Sequence, residues 1–249
     1  MRRSVMLPRL FCIALLTIAT VSGALGIRQC HHDQSEAQRE ETILEMVSQI
    51  SNGNQSSFIV DADALTVAGE DRPAPAENTM YVTSGSSTVA SEKSSSHANV
   101  DSQANPATSS VSNSYTLTAY GTISIPSIDC DLPLWVGAGT VDLRYGAGWM
   151  PLSAEPGQSG NCVIFGHRMK RYGSLFNRLG EVQIGDRVYL DHKGERFTYV
   201  IDQVLTIYPS ELSFYMQNEG DPSRITLITC TPIGVGSHRL ILTGHLNSN

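Results

Sequence analysis

The stretch TLITCTPIGVGSHRLILTGHL, residues Thr226 to Leu246, holds two short β-like runs separated by a loop containing Pro232, Gly234 and Gly236. The first run, Thr226 to Cys230, is rich in β-branched residues and closes on a cysteine. The second, Arg239 to Thr243, restores the pattern and opens on an arginine. If the runs pair antiparallel, the end of the first lies beside the start of the second. Cys230 and Arg239 then become neighbours at one rim of a sheet, although eight residues separate them. A thiolate beside a guanidinium is a nucleophile with a counter-charge, or one whose oxyanion has a donor in place. The bland alternative is a buried, inert Cys230 and an Arg239 engaged in a surface ion pair. For a lone cysteine and arginine the bland reading is favoured; the strand-end placement, the Pro/Gly loop and a matching strand-end histidine together reverse that.

A nucleophilic cysteine needs an imidazole to move its protons. Of the seven histidines, His31 and His32 adjoin an apolar N-terminal run, His97 lies in a polar stretch, and His192 lies in a turn. His245 is six residues along the strand from Arg239, roughly 20 Å at about 3.3 Å per residue. His167 and His238 remain. His238 adjoins Arg239 and, if already in the strand, faces the other side. His167 follows the apolar run CVIF and Gly166, a strand-end position like that of Cys230. Spacing by itself leaves both open.

The surrounding sequence is all-β. YGTISIPSI, CDLPLWVG, NCVIFGH, DRVYLD, RFTYVIDQVLTIY, RITLITC and RLILTGHL are short β-branched and aromatic runs split by turn signals. DHKGE, Asp191 to Glu195, predicts a hairpin turn, and a helix is expected only around Gly173 to Leu179. Seven or eight strands between residues 115 and 249 predict a closed or nearly closed β-barrel with one or two short helices. Cys130 and Cys162 fall in strand-like runs and are expected to be bridged or, the commoner case, simply buried.

The N-terminal half differs. Arg2, Arg3 and Arg9 precede an uncharged run from Leu10 to Ile27. Those residues span roughly 27 Å as a helix, enough for a bilayer core. Residues 1–27 are read as a membrane anchor with the N-terminus inside and the remainder exported; a signal peptide cleaved near Ser22-Gly23-Ala24 is the alternative. Residues 28–50 predict a short juxtamembrane helix, with Ile43, Leu44, Val47 and Ile50 at helical spacing. Residues 51–114, rich in Ser, Asn, Thr and Ala, predict a disordered tether. Net charge is −7 overall. Residues 28–114 carry 12 acidic and 4 basic residues, against 12 and 10 from Tyr115 onward. The barrel is therefore near neutral and lacks the basic footprint of a nucleic-acid binder. No cofactor or metal requirement is read.

In YGTISIPSI, FGHR at Phe165 to Arg168, LGEVQIGDRVYL, and above all TLITC followed by HRL around Arg239, the chain resembles the sortases. These are cysteine transpeptidases that attach surface proteins to Gram-positive cell walls. The resemblance covers about Tyr120 to Leu246. It implies Cys230 as nucleophile, His167 as general acid and base, and Arg239 as the oxyanion or substrate-backbone donor. It implies action on sorting-signal-bearing surface proteins or pilins, with an amine acceptor from a wall precursor or a pilin lysine, at the cell membrane. TCTPIGVGSHRLILTGH resembles the pilus-building class C enzymes, whereas GHRMKRYGSLFNRL is more like class B. The Asp-Pro-aromatic lid motif typical of class C is not found between Arg28 and Tyr120. A non-catalytic tethered binding barrel and a plain cysteine protease are the competing readings.

Overall fold

The computed structural model describes residues 37–61, 114–218 and 222–247. The expected membrane anchor lies outside these residues, as does the tether from residue 62 to 113. Among the described residues no helix is long and apolar enough to cross a membrane. The chain divides into two compact units, Met1–Glu45 and Met46–Asn249. In the first, the described residues 37–45 are helical; the helix, α1, runs over residues 37–51. The face expected to be apolar is only partly so, because Leu44 is 63% exposed.

The described residues of the second unit hold nine strands: β1 (Ser57–Asp61), β2 (Ser114–Ile125), β3 (Cys130–Val136), β4 (Ala147–Trp149), β5 (Asn161–Gly166), β6 (Arg187–His192), β7 (Glu195–Ile207), β8 (Arg224–Thr231) and β9 (His238–Leu246). They form one sheet in the order β1-β2-β3-β4-β5-β8-β9-β7-β6, and β2 also pairs with β6. That last pairing closes β2 to β9 into the expected eight-stranded barrel and removes its edges. Helices are short, as expected: single turns α2 (Asp142–Tyr145) and α3 (Leu212–Tyr215), with 3-10 turns besides. The helix expected at Gly173 to Leu179 is instead a 3-10 turn, Asn177–Glu181. The β6–β7 hairpin turns at Lys193 and Gly194, with φ of 52° and 81°. Positive φ at both central residues matches the right-handed twist of the strands.

Alternation along the strands divides the core into layers. Ile123, Ile125, Leu134, Ile164, Val188, Leu190, Leu227 and Leu242 are completely buried. A separate cluster of Met46, Phe58, Val60, Leu117 and Trp135 lies where β1 meets β2 and β3, with Ile50 and Tyr145 packed against it. The tether expected over residues 51–114 is corrected here. Phe58 and Val60 alternate inward on β1 while Ile59 is 77% exposed, and β1 pairs antiparallel with β2 from Ser57↔Thr118 to Asp61↔Ser114. A period-2 pattern too brief to stand out in a polar stretch acquires a strand partner from more than 50 residues downstream. Phe58 meets Trp135 edge to face at 5.6 Å, a favourable aromatic geometry.

A chain beginning at Ser114 would expose Leu117 and Trp135. Urea unfolding of that chain is expected to show a clearly lower midpoint than a chain beginning at residue 37. Phe58→Ala in the longer chain should cost about 3 kcal/mol. Coincident unfolding curves for the two lengths would show that β1 contributes nothing to the fold.

Candidate active site

Three adjacent strands, β5, β8 and β9, position the predicted residues. β5 and β8 are parallel, paired from Asn161↔Arg224 to Phe165↔Ile228. Beyond that ladder two side-chain contacts keep the same sequence offset of 63. The Thr229 hydroxyl donates to the Gly166 carbonyl at 2.7 Å, and Arg168 Nη1 donates to Thr231 Oγ1 at 2.9 Å. His167 and Cys230 share that offset and lie between the two contacts, so they face each other across neighbouring strands about 4.8 Å apart. On the other side β8 and β9 are antiparallel, and Cys230 pairs directly with Arg239. His167, Cys230 and Arg239 thus form one row at the rim where β5 and β8 end and β9 begins. The hairpin loop is shorter than expected, because β8 continues to Thr231 and β9 starts at His238.

Partners across a sheet share a face, and so do residues two apart along a strand. The face carrying the row continues through Phe165 and Val163 on β5, Ile228 on β8 and Ile241 on β9. Val163, Ile228 and Ile241 belong to one apolar cluster with Met150 and Ile207, against which Phe165, Leu205, Leu212, Tyr215 and Met216 pack. The row therefore sits at one end of an apolar strip whose far end is covered by α3 and the residues after it. Asn161 holds that cover: its Nδ2 donates to the Tyr215 carbonyl at 2.9 Å. Its Oδ1 accepts from Thr226 at 2.7 Å.

Each member of the row is held by its surroundings. His167 is 8% exposed, and its carbonyl accepts from the Phe176 amide at 3.0 Å. Gly166 is required there, since a Cβ would fall 2.1 Å from the Phe176 ring. Arg239 Nη1 donates to the carbonyls of Gly236 and His238, both at 3.0 Å. Its Nη2 and Nε have no protein partner among the described residues. Gly236, at φ +66°, brings the loop backbone beside Cys230; a Cβ there would lie 3.7 Å from Cys230 Cβ. The remaining candidates sit elsewhere. His238 pairs with Thr231, one step off the row. It lies against Ser237 Oγ at 2.9 Å and the Tyr208 ring at 4.7 Å. His245 pairs with Arg224 at the opposite end of the hairpin. His192 is buried, its Nδ1 2.7 Å from the Tyr120 carbonyl.

The cysteines divide by environment. Cys130 and Cys162 are free and buried, while Cys230 is partly exposed. Burial, with a contribution from Asp131, pushes the Cys130 thiol up to about 12, and burial raises Cys162 as well. Both are structural thiols. Sequence reasoning missed Thr229 and Arg168, the two side chains that carry the β5–β8 register past the end of the ladder. Their signal was positional: each directly adjoins a predicted site residue, Thr229 before Cys230 and Arg168 after His167.

A family model described as the sortase domain matches residues 123–247, half of the chain. The chain belongs to the sortase family. It is 33% identical over 126 residues to sortase A of Listeria monocytogenes, covering 51% of this chain and 55% of that one. It is 32% identical over 130 residues to sortase D of Bacillus subtilis, covering 51% and 63%. The chain thus spans about half to two thirds of the length of these relatives. Among solved structures, sortase A from Corynebacterium diphtheriae superposes with a TM-score of 0.50 at 34% identity, covering 53% of this chain and 62% of that one.

At pH 8 a small alkylating reagent is expected to modify Cys230 in the native protein and spare Cys130 and Cys162. A thiol at about 12 has roughly one ten-thousandth of its population as thiolate at that pH, against about a quarter for an ordinary thiol. Labelling of Cys130 should appear only toward pH 12 or on unfolding. Peptide mapping by mass spectrometry reads the three sites, and equal labelling of all three in the native state would remove the distinction.

Proposed function

We propose that this sortase is a membrane-anchored cysteine transpeptidase that cleaves a Leu-Pro-any-Thr-Gly-like sorting signal after the threonine. It transfers the acyl group to an amine of a wall precursor or a pilin lysine. The observation that carries the reading is the row of His167, one residue past the end of β5, with Cys230 on β8 and Arg239 on β9. The Cys230 thiolate attacks the threonine carbonyl carbon, and the carbonyl π electrons move onto oxygen. When that tetrahedral centre collapses the C–N bond breaks, and protonated His167 gives its proton to the departing amine. A thioester remains on Cys230. The incoming amine loses a proton to His167 as it attacks, and the thiolate leaves, which restores the starting protonation states.

Arg239 stands opposite Cys230 with Nη1 engaged by the Gly236 and His238 carbonyls and, among the described residues, its other donors unclaimed. It supplies hydrogen bonds to the oxyanion or to the substrate backbone, where a planar fork outperforms a lysine. Anchorage through residues 1–27, with the barrel outside the membrane, is supported by the three arginines ahead of the apolar run.

Incubation of the protein with a sorting peptide and a short amine nucleophile tests the reading. A peptide joined to the added amine is expected, together with a trapped Cys230 thioester seen by mass spectrometry. Cys230→Ala and His167→Ala should each lower kcat/KM by at least about a thousandfold. Arg239→Ala should lower it by roughly a hundredfold to a thousandfold, as the loss of an oxyanion donor does, and Arg239→Lys should not restore it. Water rather than amine in the product would make the protein a cysteine protease, and turnover surviving in Cys230→Ala would sink the assignment.

A further inference from the structure

We propose that Arg168 is a positioning residue of this site: a clamp behind the row that bonds the Cys230 strand with one arm and the loop after His167 with the other, setting the approach of His167 to Cys230. The proposal rests on the reading that His167 and Cys230 act together.

Arg168 follows His167 directly, so its side chain leaves the opposite face of the segment. The backbone pairing of β5 with β8 ends at Phe165↔Ile228. His167 is thus carried on a segment that has already left the ladder. It enters a loop running to the 3-10 turn at Asn177–Glu181. Arg168 spans that gap. Its Nη1 donates to Thr231 Oγ1 at 2.9 Å and reaches the Cys230 carbonyl at 3.5 Å. Its Nε donates to the Asn177 carbonyl at 3.2 Å.

Asn177 in turn organises the loop. Its Nδ2 donates to the Met169 carbonyl at 2.6 Å, and its Oδ1 accepts from the Gly173 amide at 3.4 Å. One guanidinium therefore ties the nucleophile strand to the segment that presents the imidazole. Space is reserved for it, since a Cβ at Gly180 would lie 2.8 Å from Arg168 Nη2.

The charge is not balanced by an acid. Among the described residues no carboxylate pairs with Arg168, and its donors go to neutral oxygens. Half-burying a guanidinium without a carboxylate is unfavourable, since the charge gives up hydration. Burial lowers the Arg168 pKa, and the nearness of Cys230 works in the other direction. A residue with that cost is not explained by stability, whereas a rigid fork between two separate backbone segments is a geometric device that lysine cannot reproduce. A catalytic pair displaced by about 1 Å loses on the order of a hundredfold in rate.

The test compares Arg168→Met, Arg168→Lys, Thr231→Val and the double variant Arg168→Met/Thr231→Val. With the sorting peptide, Arg168→Met and Arg168→Lys are expected to lower kcat at least about tenfold with KM within about twofold. The double variant should be no slower than Arg168→Met alone, because the two side chains share one interaction. A second arm needs no turnover. His167→Cys is oxidised to form a disulfide with Cys230, and its equilibrium against a thiol buffer is read with and without Arg168→Met. An effective concentration at least about tenfold lower without Arg168 supports the clamp.

Unchanged kcat in Arg168→Met, additive losses in the double variant, or an unchanged disulfide equilibrium would overturn it. So would variants that lose activity only because they are unfolded at the assay temperature. If the unmodified protein fails to process the peptide, the proposed function fails, and the disulfide arm still decides the role of Arg168.

Discussion

The buried hydrogen bond from Thr229 Oγ1 to the Gly166 carbonyl stands at the point on which the site depends, the end of the parallel β5–β8 ladder. Parallel pairs have slanted hydrogen bonds and are slightly weaker per residue than antiparallel ones. Their register also receives no help from a tight turn. A slip of one residue would move every side chain of β5 to the other face. His167 would then face the barrel interior, and Arg168 would take its place beside Cys230. The Thr229 bond resists that slip one step beyond the last paired position. The Gly166–Phe176 contact resists it too, because another residue in place of Gly166 would drive a Cβ into the ring.

β8 is packed on both faces below this rim. From Ile225 to Thr229 every residue of the strand is buried, with Leu227 turned to the barrel interior and Ile228 to the apolar strip. Burial of each large aliphatic side chain contributes roughly 1.5 to 3 kcal/mol. A strand packed on both sides transmits little motion to its end. Polar groups within this core are satisfied in pairs: Thr226 with Asn161, Thr229 with Gly166. Asn161 also bonds the carbonyls of Tyr215 and Gln217, so the cover of the strip is tied to β5, the strand that His167 follows. On the other side of the molecule, β1 and Met46 complete the cover of Leu117 and Trp135, which belongs to the stability of the barrel rather than to its chemistry.

The same sheet sorts three cysteines into different fates. Cys130 and Cys162 are enclosed by apolar neighbours, where a thiolate would be poorly solvated, and are held as thiols. Cys230 stands where the sheet stops and water or substrate can reach it, opposite an arginine. Position along a strand, rather than residue type, separates the two buried thiols from the partly exposed one.

The sequence by itself determined the hairpin at the heart of the site. β-branched runs on either side of a Pro/Gly loop can pair in few ways, so Cys230 opposite Arg239 followed from local pattern, and the β6–β7 turn at Lys193-Gly194 followed in the same way. The barrel was legible from the number and spacing of the runs. The partner imidazole was not: residues alone left His167 and His238 open, and a family resemblance separated them. The deciding contact is a parallel pairing between strands 63 residues apart, and no local rule sets the register of such a pair. β1 was hidden for the same reason, since five residues in a polar stretch become a strand only when β2 and Trp135 supply a ladder and a surface to bury against. Arg168 needed the tertiary structure most, because its role depends on Thr231 and Asn177 arriving together on the face away from His167.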